Sequence, residues 1–121
     1  MLRWGLVPFW AKDLNVGLAN INAKAEGIET RPAFREAFQR RRCLVPVNSF
    51  YELCAELHNR MPVVLKPDTW PVWLGEQPAD ASALKALLAP FPSEEMTCWP
   101  VSARVGNVKN NDPSLIEPIA A

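Results

Sequence analysis

The sequence predicts an α+β protein: a small, mixed, mostly antiparallel sheet with about three helices. Two kinds of segment support this. Short apolar, β-leaning runs recur at residues 43–47, 50–53, 61–65 and 96–101. Between them, apolar residues fall at helical spacing in a few stretches, two of them opened by a proline. Twelve prolines in 121 residues keep every element short.

Residues 1–31 read as irregular, because Gly5, Pro8, Gly17 and the polar Lys12-Asp13 step interrupt any period. Short extended pieces are expected near residues 4–7 and 18–21. Pro32 suits the first turn of a helix, where its missing N–H costs nothing. Ala33, Phe34, Ala37 and Phe38 follow at helical spacing, and Arg40-Arg41-Arg42 suits the negative end of that helix dipole. Such a charged helix end is usually a solvated face. Pro67-Asp68 begins a short helix carrying Trp70 and Trp73. Residues 81–88 form another, with Leu84, Leu87 and Leu88 as its apolar face. Asn110-Asn111-Asp112-Pro113 favours a turn.

The length fits a single domain, taken here as residues 1–121, and 49% hydrophobic residues can supply a core. Formal net charge is zero but unevenly spread. Residues 1–42 hold eight Lys/Arg against four Asp/Glu, and residues 43–121 hold five against nine. The basic front suits an anionic partner. Three irregularly spaced cysteines argue against a disulfide scaffold. No secretory signal and no apolar run of membrane-spanning length is visible, so a reducing, cytoplasmic setting and no membrane association are expected.

Glu52 lies in the apolar run Phe50-Tyr51-Glu52-Leu53, where desolvation would raise its pKa and suit it to acid catalysis. Taken alone, a glutamate at such a place more often faces water from an edge strand. His58 is the only histidine. Its imidazole titrates near neutral pH, although a lone histidine is more often structural. Asn22 offers a donor and an acceptor together, and turn formation is the commoner use of such a residue. Cys54 and His58 are four apart, a weak signal for zinc without further ligands. No metal and no cofactor is expected. Cys43 and Cys98 read as small buried hydrophobes. Trp4 reads as a core residue, whereas Phe9 and Trp10 beside basic residues could stack on single-stranded bases.

The ordered strings Arg3-Trp4-Gly5-Leu6-Val7-Pro8-Phe9-Trp10, Ile21-Asn22-Ala23-Lys24-Ala25-Glu26, Cys43-Leu44-Val45-Pro46-Val47-Asn48-Ser49-Phe50-Tyr51-Glu52 and His58-Asn59-Arg60-Met61-Pro62 resemble the SRAP family. Members of that family shield abasic sites in single-stranded DNA. The similarity continues through Trp70, Trp73, Trp99-Pro100-Val101-Ser102 and Val105 to Asn110. It implies a partial SRAP fold, abasic single-stranded DNA as partner, a monomer, and covalent crosslinking with an associated autopeptidase activity. It also implies active-site roles for Asn22, Glu52 and His58: Asn22 orients the substrate, Glu52 moves protons during ring opening and imine formation, and His58 assists those steps and crosslink reversal. Arg3, Phe9, Trp10, Lys24 and Arg31 become the DNA-contacting residues, with Lys12 beside them. Lys24 stands for the family's arginine, keeping charge but losing the bidentate fork. Asn59 stands for its usual aspartate.

Two family features are missing from these 121 residues. The family begins Met-Cys-Gly-Arg, and the exposed cysteine traps the opened sugar as a thiazolidine; here Met1-Leu2-Arg3 stands instead. In the family, several strands separate the glutamate from the histidine. Here only five residues lie between Glu52 and His58. Removing those strands is expected to leave unpaired sheet edges. A noncatalytic single-stranded DNA binder, or a nonfunctional fragment, is the alternative.

Overall fold

The computed structural model describes residues 4–51 and 61–120. Arg3, Glu52, Cys54, His58, Asn59 and Arg60 lie outside the described residues. The chain divides into two compact units, one of residues 1–46 and 63–89, the other of residues 47–62 and 90–121.

Local signals place the helices of the first unit. α1 spans Val16–Ala19, α2 Arg35–Arg40, α3 Trp70–Leu74 and α4 Ala81–Ala86. Asp80 caps α4 by accepting from the Ala83 N–H at 2.7 Å, which satisfies an orphan donor of the first turn. Pro67 opens a 3-10 turn, Pro67–Thr69, that leads directly into α3. Gly75 ends α3 with φ 84°, a left-handed conformation that glycine adopts without steric cost. The Pro32 stretch is a turn, and α2 begins three residues later at Arg35.

The core of this unit is small. Phe38 on α2 is 3% exposed and Leu84 on α4 is 4% exposed. Phe38 meets Trp73 of α3 edge to face, with ring centroids 6.2 Å apart. Arg42 ties the same elements together. Its guanidinium lies 5.7 Å from the centre of the Trp73 ring. It donates to the carbonyls of Phe38 at 2.7 Å and Gln39 at 2.8 Å, and to the carbonyl of Trp73. The arginine run is therefore not a uniformly solvated face: Arg42 closes the carbonyl end of α2 and fastens it to α3. Arg41 pairs with Glu36, and Arg40 is exposed.

In the second unit, 3-10 turns replace α-helix: Ser93–Glu95, Ala103–Gly106 and Pro113–Ile116. Among the described residues, Leu115 is its buried apolar residue at 8% exposure. A polar network surrounds it. Arg104 donates to Asp112 at 2.8 Å and to the Ser114 hydroxyl at 3.1 Å, and Asn110 donates to the Arg104 carbonyl at 2.8 Å. The Trp99 indole donates to the Ile116 carbonyl at 2.8 Å.

The expected antiparallel sheet is not present among the described residues. Residues 43–47, 61–65 and 96–101 form no strand, and Phe50 and Tyr51 form none either. A single isolated antiparallel bridge joins Val101 to Pro118. The α+β expectation is thus corrected to short α- and 3-10 helices linked by irregular chain. The physical reason is a missing partner: a β-prone run becomes a strand only when a neighbour completes its ladder. No backbone N–H of residues 43–47 or 61–65 bonds a described backbone carbonyl. The extended piece expected at residues 18–21 is also corrected, because α1 takes Val16–Ala19.

Candidate nucleic-acid interface

The aromatic pair is held up by a two-point clamp in the first unit. The Leu6 N–H donates to the Asn20 carbonyl at 3.0 Å, and the Asn20 side-chain amide donates to the Leu6 carbonyl at 3.1 Å. Glycine permits this approach. Gly5 has φ 114°, and a Cβ built there would lie 2.1 Å from the Gly17 carbonyl oxygen. From the clamp the chain passes through buried Pro8 into a turn closed by the Ala11 N–H on the Pro8 carbonyl at 3.0 Å. Phe9 and Trp10 are the two corner residues of that turn. They are 75% and 53% exposed.

Covalent geometry brings Asn22 to the same region. It stands two residues beyond Asn20, hence within about 7 Å of it, and Phe9 stands three beyond Leu6, within about 11 Å. Asn22, Lys24 and Arg31 are all exposed, and none of their side chains makes a hydrogen bond or ion pair with a described residue. The structure thus places Phe9, Trp10, Asn22, Lys24 and Arg31 in one unit, all facing water. Arg3, Glu52 and His58 lie outside the described residues.

Electrostatics sharpen the basic character of this unit. Glu29 accepts from Lys85, and that hydrogen bond, followed by its own backbone N–H, holds the Glu29 carboxyl below its ordinary value of 4.5 against the opposing effect of burial. Glu36 is engaged by Arg41. Among the described residues up to Arg41, Lys12, Lys24, Arg31, Arg35 and Arg40 carry no ion pair, while Asp13 and Glu26 are the acids left without one. Five bases therefore face solvent against two acids.

Three single-residue expectations are corrected. Trp4 is 68% exposed rather than packed in a core, so it joins Phe9 and Trp10 as exposed aromatic surface. Cys43 and Cys98 are free and exposed, not buried. Cys43 lies on the irregular chain after α2, where its carbonyl accepts from the Trp73 indole at 3.0 Å. Sequence reasoning also missed Asn20. Its one signal is that an asparagine three residues after a glycine can turn its amide back on a facing backbone.

The second unit has an open depression of about 490 Å³ between Tyr51 and the segment from Val105 to Ile116. Its carboxylate is already committed. Asp112 accepts from the backbone N–H and hydroxyl of Ser114 and from Arg104. The Ser114 hydroxyl is the first cause that holds Asp112 below its ordinary value of 3.8, with Arg104 acting in the same direction and burial opposing.

The SRAP family model, SOS response associated peptidase, matches residues 1–54 and 52–108. The chain belongs to this family. Relatives include the abasic site processing protein YoqW of Bacillus subtilis strain 168, 30% identical over 96% of this chain and 75% of the relative. Abasic site processing protein YoaM of the same strain is 29% identical over 96% of this chain and 74% of its own length. A yeast relative, abasic site processing protein YMR114C of Saccharomyces cerevisiae, is 23% identical over 98% of this chain and 47% of its own length. No solved structure matches the chain. Among the described residues no helix is long and apolar enough to cross a membrane.

Proposed function

We propose that the chain engages abasic sites in single-stranded DNA, with Phe9 and Trp10 stacking on unpaired bases and Lys12, Lys24 and Arg31 following the phosphates. The observation that carries this is the Pro8–Ala11 turn. It exposes two adjacent aromatic rings in a unit whose free charges are mostly basic, and stacking plus phosphate neutralisation is how single strands are bound without sequence preference. The names of the relatives supply the abasic site. Arg3 would extend the phosphate path. Asn22 would orient the opened sugar, Glu52 would move protons during ring opening and imine formation, and His58 would assist these steps and their reversal. Autopeptidase and lyase-type chemistry, a monomeric state and a cytoplasmic, nucleoid-associated location belong to the same proposal.

Titration of labelled abasic single-stranded DNA tests it. Binding should exceed that to duplex, and it should weaken with salt as counterions are released. Trp10→Ala should cost about 1–3 kcal/mol of binding. Salt-independent affinity, or equal affinity for duplex, would overturn it.

A second reading, binding without covalent chemistry, applies to a polypeptide of these 121 residues made with Met1 first. Cys43 and Cys98 are exposed thiols whose nitrogens are tied up in peptide bonds. A thiazolidine needs an amine and a thiol on adjacent carbons. A 121-residue polypeptide made with Met1 first should therefore leave no shifted band on a denaturing gel after incubation with abasic DNA. A stable band abolished by Glu52→Ala would establish the enzymatic reading instead.

A further inference from the structure

One side chain joins the segment that carries the exposed rings to the segment that carries Asn22. Asn20 closes α1 by donating its backbone N–H to the Gly17 carbonyl at 3.0 Å. Its own carbonyl accepts the Leu6 N–H at 3.0 Å, and its side-chain amide donates to the Leu6 carbonyl at 3.1 Å. Both backbone polar groups of Leu6 are thus held by one residue. Beside this pair Gly5 lies against Gly17, at an approach that no side chain at position 5 would allow. Asn20 and Leu6 are both half-buried, so the bonds between them are partly shielded from water.

The far end of the ring-bearing loop is tied to α1 as well. The Asp13 carboxylate accepts from the Asn15 N–H at 2.9 Å, and the Asp13 carbonyl accepts from the Val16 N–H at 3.3 Å. Residues 7–12 therefore run from the C-terminal end of α1 to its N-terminal end, fixed at both. The Asp13 tie joins near neighbours in the chain. The Asn20 tie spans fourteen residues, and it sets where the loop begins. The Phe9 and Trp10 side chains make no hydrogen bond and no ring contact with a described residue, so the loop backbone aims them.

We propose that Asn20 is a positioning residue for single-stranded DNA binding: it touches no DNA itself but presets the aromatic turn and its spacing from Asn22. The role rests on the DNA reading of Phe9 and Trp10. A loop already fixed at both ends loses little freedom when bases stack on it, so the clamp contributes affinity without making a contact. The clamp also sets a register. Phe9 stands three residues beyond Leu6 and Asn22 two beyond Asn20, so a stacked base and the neighbouring opened sugar are held within reach of one strand. The Leu6 N–H bond to the Asn20 carbonyl survives any side-chain change at position 20, so loss of the amide loosens the loop without releasing it.

Asn20→Ala removes the amide and keeps the backbone bond, so the chain should still unfold cooperatively in urea. Asn20→Asp keeps the shape of the side chain but sets a carboxylate against the Leu6 carbonyl. Each should weaken binding of labelled abasic single-stranded DNA about three- to tenfold. The slope of affinity against salt should not change, because no phosphate contact is lost. A double-mutant cycle separates positioning from general support of the fold. In a Trp10→Ala background, Asn20→Ala should cost about twofold or less, whereas in a Lys24→Ala background its full cost should remain. A residue that only supports the fold would lower affinity equally in both. Equal losses in the two backgrounds, or no loss from either Asn20 variant while Trp10→Ala weakens binding, would overturn the role of Asn20 and leave the DNA reading standing. Binding indifferent to Trp10→Ala would overturn the DNA reading, and the role of Asn20 with it.

Discussion

In the first unit Phe38 and Leu84 are almost fully enclosed, and the contacts that join α2 to α3 run through aromatic rings and the Arg42 guanidinium. In the second unit Leu115 is the buried apolar residue among those described, and Arg104, Asp112, Ser114 and Asn110 bond one another around it. One unit is organised by burial and the other by a polar web. The difference follows from composition. Residues 33–38 and 70–88 place large apolar side chains at helical spacing, whereas residues 102–114 are rich in Ser, Asn and Asp, which favour short turns over packed helices. Burial resists pH and salt, while a web of charged hydrogen bonds depends on both.

The largest test of that contrast is Phe38→Ala. It removes the aromatic centre of the first unit and should cost about 3–5 kcal/mol, read as a fall in the urea midpoint. A loss below 1 kcal/mol would mean the first unit is not held by burial. Arg42→Met comes next. It keeps much of the aliphatic stem but leaves three carbonyls without their donor, and should cost about 1.5–3 kcal/mol. Arg42→Lys should recover only part of that, because an ammonium cannot form the planar fork that reaches α2 and α3 together. A full rescue by lysine would reduce the role of Arg42 to charge alone.

The smallest effect is expected from Asp112→Asn, and it is a matter of pH. Asp112 is held below its ordinary value of 3.8 in the folded chain, chiefly by Ser114. A lowered carboxyl contributes stability that is complete above the unfolded value and is lost as pH falls through the folded one. Acid unfolding of the second unit, followed by Trp99 fluorescence, should therefore steepen below about pH 4 in the native chain and flatten in the variant. Identical acid profiles would show that the web does not govern the second unit. Glu29 carries the same sign in the first unit through Lys85, below its ordinary 4.5, but the aromatic core there should mask it.

What the sequence made legible divides along the same line. Helix signals are local: Pro67 announces α3 and the spacing of Leu84, Leu87 and Leu88 announces α4, and both stand where expected. Strands are not local. The run at residues 43–47 has the residues of a strand but no partner among the described residues, and nothing in five residues says whether a partner exists. Trp4 failed for a related reason, since a tryptophan's burial depends on the chain that arrives over it. At the candidate interface, Phe9 and Trp10 were picked out as aromatics beside basic residues and by the family resemblance, whereas the Pro8–Ala11 turn that exposes them was not read from the sequence. The Asn20–Leu6 clamp beneath them pairs residues fourteen apart, and no spacing rule exposes it.

The near-contact of Gly5 with Gly17 has a bearing on how this surface can change over evolutionary time. A methyl group at position 5 would sit 2.1 Å from a backbone oxygen, which neither a rotamer change nor a neighbouring side chain can relieve. At position 17 a methyl would meet Val7 at 3.1 Å, a side chain with some freedom to yield. The hinge beneath the aromatic pair is therefore closed to substitution on one side and narrowly open on the other. Constancy is therefore expected at position 5 on steric grounds alone, independently of which rings the loop presents.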